Sequence, residues 1–90
     1  MQTVQIQRIQ TGMRIEKRIV KVLKALAEYL DMSLGDLIEG IVLHSFEGKP
    51  PFEPPLIKKI EAIKAIYDLD LDASHSHKLS EAQSHSASSG

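Results

Sequence analysis

The chain has 90 residues, with 11 Lys and Arg against 12 Asp and Glu, a net charge of -1 and no cysteine. That length allows one small domain, and without Cys it has neither disulfides nor thiolate metal sites as staples, so oligomerisation is the remaining way to enlarge its core. No apolar run approaches the roughly 18 residues of a membrane span, and the opening MQTVQIQRIQTG lacks the basic region and apolar core of a secretion signal, so a soluble, cytoplasmic protein is expected.

The first element in chain order is the segment Ile9-Gln10-Thr11-Gly12-Met13-Arg14-Ile15, whose period-two pattern predicts a β-strand. Nothing later in the chain offers it a partner. Its backbone groups must therefore lie at an edge, pair within the N-terminus, or pair with a second copy of the chain. Pairing within the N-terminus would make a hairpin, with Val4, Ile6 and Ile9 opposite Met13 and Ile15. Pairing between copies would make a dimer with a basic two-stranded ribbon, a shape that fits a DNA groove. If Met13 and Ile15 point inward, Gln10, Gly12 and Arg14 point outward. Arginine reads guanine and glutamine reads adenine through paired hydrogen bonds.

Charge adds to this reading. Residues 8 to 24 hold Arg8, Arg14, Lys17, Arg18, Lys21 and Lys24 against Glu16 alone, a local charge of +5 on a chain that is otherwise acidic. Such an end orients a protein toward a polyanion. Lys17, Arg18 and Lys21 are the candidates for holding DNA phosphates.

At Ile15 the apolar period changes to about 3.6, which predicts a helix over residues 16 to 30 with Ile15, Ile19, Val22, Leu23, Leu26, Ala27 and Leu30 on one face. A second helix is predicted over 34 to 46, with Ser33 as N-cap and Asp36 three residues on. Its apolar face, Leu37, Ile38, Ile41, Val42 and Phe46, is too extensive to stay wet on a small protein. Gly40 in its middle fits close approach by the same helix of a second subunit. The free N-H groups near Ser33, Leu34 and Gly35 form an anion site, with Asp36 as a competitor for them.

Gly48 should end that helix, and the prolines at 50, 51, 54 and 55 should make a semi-rigid linker over 49 to 55. A third helix is predicted over 56 to 67, then an acidic exit to residue 72 and a disordered Ser- and His-rich tail over 73 to 90. His75 and His77 beside Asp70 and Asp72 are expected to hold no metal, because two histidines on a mobile tail do not make a preformed site. No phosphate loop, HExxH or nucleophile elbow is present, so no enzymatic activity and no cofactor are expected.

The order strand, helix, capped helix over MRIEKRIVKVLKALAEYLDMSLGDLIEGIVLHSF resembles the ribbon-helix-helix family of DNA-binding proteins. The resemblance implies a mainly α fold in which residues 1 to 48 form an intertwined homodimer with a two-stranded antiparallel sheet; the accessory helix and exit over residues 56 to 72 are not part of that minimal fold. It implies base contacts from Gln10, Gly12 and Arg14, and phosphate contacts at the start of the second helix. It places Met13, Ile15, Ile19, Leu23, Leu26, Leu37, Ile38 and Ile41 in a shared core, where Gly40 would lie too. Two features depart from the family's pattern: Gly12 presents no side chain at the central reading position, and Asp36 sits where small polar or basic groups are usual. The expected function is sequence-specific binding of double-stranded DNA by a small transcriptional regulator or antitoxin-like repressor. The alternative is a protein-interaction scaffold on the same dimer, with a further protein partner on the third helix.

Overall fold

A computed structural model describes residues 3 to 82 of the chain. Three α-helices of equal length, α1 (Lys17–Tyr29), α2 (Leu34–Phe46) and α3 (Pro54–Ile66), are followed by a single 3-10 turn at Ala73–His75. The expectation of a mainly α chain holds. The expected strand does not: residues 3 to 16 carry no regular secondary structure, and no strand or sheet occurs among the described residues. The ribbon-helix-helix fold, which needs a strand pair, is therefore corrected to a three-helix arrangement preceded by an extended arm. The physical reason is that Ile9 to Ile15 has the alternation of a strand but finds no second strand among the described residues to take up its N-H and C=O groups.

α1 is the central element and packs against both α2 and α3. Its buried side chains, Val22, Leu26 and Ala27, all belong to the face marked by the 3.6 period. Leu26 and Ala27 meet Leu37 of α2, and around them gather Leu23, Leu30, Ile41, Phe52, Leu56, Ile60 and Ile63. Leu23, Leu26, Leu37 and Ile41, expected in a core shared between two chains, thus already belong to a core within one. α3 runs antiparallel to α1, since Lys59 near its start lies over the Tyr29 ring at the end of α1. Just past its other end, Asp68 meets Arg18 at the start of α1.

All three helices stop in the same way. After α2, Gly48 takes φ +71°, with its N-H bonded to the Ser45 carbonyl and the Lys49 N-H to that of His44. That pair of bonds is the Schellman closure, which requires a left-handed residue where the helix ends. Asp31 (φ 57°) and Asp68 (φ 54°) play the same part after α1 and α3 without the freedom of glycine.

The helix starts differ. Ser33 caps α2 as expected, its hydroxyl accepting from the Asp36 N-H at 3.1 Å. α1 is capped by Glu16, expected as its first residue, whose carboxylate accepts from the Ile19 N-H at 2.9 Å. α3 begins two residues earlier than expected because Pro54 and Pro55 occupy its first turn, where a missing N-H costs nothing and a fixed φ helps. The proline-rich linker accordingly ends before Pro54. The tail expected as disordered starts with the 3-10 turn, in which Asp72 accepts from the Ser74 N-H and donates its own N-H to the His75 ring. The rest of that expectation, from residue 83 onward, lies outside the described residues. No described helix is long and apolar enough to cross a membrane.

Candidate nucleic-acid interface

On α1 the cations separate cleanly from the core. Lys17, Lys21 and Lys24 recur at intervals of four and three, which puts them within about a third of a turn of one another at 100° per residue. Leu26 lies on the opposite side of the helix, with Val22 next to it. All three lysines are exposed, and none forms an ion pair among the described residues. Across seven residues they mark a line of about 10 Å along the helix.

Arg18 is different. Half-buried, it donates to Glu16 at 2.9 Å, to the Asp68 carbonyl at 2.9 Å and to Asp70 at 3.1 Å. The hydrogen bond from Arg18 holds the Glu16 carboxyl below its ordinary range against an opposing effect of desolvation. Arg18 therefore ties the start of α1 to the exit of α3. The expected phosphate contact is already occupied by the chain itself.

The arm stands off from the helices. Val4 is 83% exposed, Ile9 84% and Met13 67%, and Gln10, Gly12 and Arg14 are exposed as well. Gln10, Gly12 and Arg14 were expected outward and Met13 and Ile15 inward, but all five are exposed, so no alternation of faces marks the arm. Two bidentate ion pairs tether the arm. Arg8 Nε and Nη2 donate to the two Glu39 oxygens, each at 2.8 Å, across to α2. Arg14 Nε donates to Glu81 Oε2 at 2.9 Å, and its Nη2 to the other Glu81 oxygen. In both pairs the guanidinium's hydrogen bond keeps the carboxyl below its ordinary value.

Between arm and body lies an open concavity of about 1530 Å³. Its walls include Ile9 and Met13 of the arm, Val20 of α1, Leu34 and Ile38 of α2, and Leu79. Clefts and cavities that hold drug-sized ligands run to about 300–1,000 Å³, and this space is larger and open to solvent. The expected anion site falls on its edge. Gly35 and Leu34 line the space, while the Ser33 hydroxyl is committed to the Asp36 N-H. Gly40 faces open space within the chain, with nothing within 4 Å of where a Cβ would sit.

Glu16, Glu39, Asp70 and Glu81 are the carboxylate partners of Arg8, Arg14 and Arg18, a pairing that sequence reasoning did not assign. Asp68, Asp70 and Asp72 were legible as an acidic run, yet the meeting of Asp68 and Asp70 with Arg18 of α1 depends on the antiparallel return of α3. Glu39 and Glu81 gave no signal, because each is an ordinary surface glutamate until a distant segment is laid beside it. Comparison with protein-family models, with curated proteins and with solved structures gives no match.

Proposed function

We propose that the chain is a non-enzymatic, homodimeric DNA-binding regulator that acts by occupying its site. The observation that carries this reading is the exposed line of Lys17, Lys21 and Lys24 beside an extended arm bearing Gln10 and Arg14. Lysines at such spacing neutralise successive phosphates and release counterions, which supplies affinity without sequence preference. An extended arm is slim enough to lie in a groove, where Arg14 and Gln10 are the side chains able to read bases. The acidic remainder of the chain limits adhesion elsewhere along the duplex.

Dimerisation is supported by area. The chain exposes 8068 Å², whereas a compact monomer of 10.0 kDa exposes about 5,200 Å². Its radius of gyration is 15.6 Å, against about 12 Å for a compact chain of this length. The exposed arm accounts for part of both excesses. Val42, Leu43 and Phe46, exposed on α2, supply an apolar surface of the kind a second copy covers.

A salt titration of duplex binding tests the proposal. Binding should weaken steeply with salt, and replacing Lys17, Lys21 and Lys24 with Gln should lower the slope of log K against log salt by up to about three, one for each phosphate no longer neutralised. Arg14→Ala should cost about 1–3 kcal/mol at one sequence and little at others. Absence of binding at low salt would overturn the reading.

A second reading, docking to another protein, is favoured by the engaged state of Arg8 and Arg14 and by the apolar side chains of the arm. It predicts affinity for a protein surface with no salt-dependent duplex binding.

A further inference from the structure

The acidic segment after α3 does not leave the molecule. It returns to the basic start of the chain at two places. Asp68 and Asp70 hold the Arg18 guanidinium through a carbonyl and a carboxylate. Glu81 holds Arg14 through both of its oxygens. Between these points Leu71 and Leu79 border the concavity against the arm, and the Lys64 ammonium donates to the Leu71 carbonyl at 3.1 Å. The segment is thus laid along the same groups that a polyanion would contact.

We propose that residues 68 to 82 are an intramolecular competitor for polyanions, with the carboxylates of Asp70 and Glu81 occupying the guanidinium groups of Arg18 and Arg14 until DNA displaces them. A carboxylate presents two oxygens to the guanidinium fork much as a phosphate does. Arg18, with 35% of its side-chain area exposed, is the firmer of the two contacts, and exposure makes its Asp70 partner and the whole Arg14 pair displaceable. Arg14 and Glu81 are largely exposed, at 82% and 69% of their side-chain area. Asp70 is 84% exposed. Exposed ion pairs are worth little and are screened by salt. The lysines of α1 lie outside the contact, so a duplex can engage them first and then compete for the arginines. The result is a binder whose arm is held back from adventitious anions and released only where several phosphates act together.

This inference rests on the DNA-binding reading, and the experiment separates the two. The absence of Cys lets Thr11→Cys and Ser80→Cys carry a pair of distance probes in the full chain. The probes should report one short distance in the free protein and a longer one with a mixed-sequence duplex. Asp70→Asn with Glu81→Gln should tighten duplex binding about two- to tenfold at low salt, the range expected for two exposed pairs. Glu53→Gln with Glu61→Gln removes the same charge from residues without an ion pair among the described ones, and should change affinity less. Equal tightening by the two double variants, or a distance unaltered by a bound duplex, would overturn the competitor while leaving DNA binding intact. Failure of every protein to bind the duplex would overturn both.

Discussion

At the scale of single residues, helix ends show which local chemistry the chain depends on. Ser33→Ala removes the acceptor for the Asp36 N-H and should lower stability by about 1 kcal/mol, read as a shift in urea midpoint at unchanged slope. The left-handed positions predict opposite signs for two similar substitutions. Gly48→Ala forces a side chain onto φ +71° and should cost about 1 kcal/mol, whereas Asp31→Gly relieves the same strain and should gain about 0.5 kcal/mol. Equal effects of one sign from the two would mean that the Schellman closures do not set these ends. Ser33 and Gly48 were legible in the sequence because each residue type is suited to its position. Asp31, Asp68 and Glu16 were not, since Asp tolerates left-handed backbone and Glu seldom caps, and only the phase of the neighbouring helix reveals either role.

At the scale of elements, α2 was legible to its last residue, while the arm was misread. A period-two pattern records which side chains could share a face, and it becomes a strand only when another backbone lies alongside. In this chain the arm is held instead by charge, through Arg8 with Glu39 and Arg14 with Glu81. Both carboxyls are depressed from their ordinary range by the arginine's hydrogen bond. A depressed carboxyl contributes its tethering above its unfolded value and loses it as pH falls through the lowered one. The arm should therefore be docked for more of the time at neutral pH than in acid, below the ordinary carboxylate range, by the small margin that two exposed pairs allow. Backbone relaxation of residues 3 to 14 measured against helical content would follow this. An arm equally mobile at neutral pH and in acid would refute the tether. The core has the opposite character: Leu26 is 2% exposed, and Leu26→Ala should cost about 2–5 kcal/mol at any pH where the helices persist.

At the scale of the whole molecule, the charge asymmetry and the shortage of buried surface were both legible before any fold was known. Among the described residues four side chains, Val22, Leu26, Ala27 and Leu37, are the buried hydrophobic core, which is little for a chain of 90 residues. That shortage motivates the proposed homodimer, whose geometry the sequence does not specify, because Val42, Leu43 and Phe46 are left exposed on α2. Dimerisation makes melting concentration-dependent. Val42→Asp with Phe46→Asp, both at exposed α2 positions, should abolish that dependence without unfolding α1 and α3 at high protein concentration. A melting temperature independent of concentration in the unsubstituted chain would exclude this role for the face. The central claim, a dimer on DNA, is tested most directly by the mass of the complex with a short duplex at low salt. The account predicts two chains per duplex, dissociating together as salt is raised. A single chain per duplex, or a duplex that sediments alone, would contradict it.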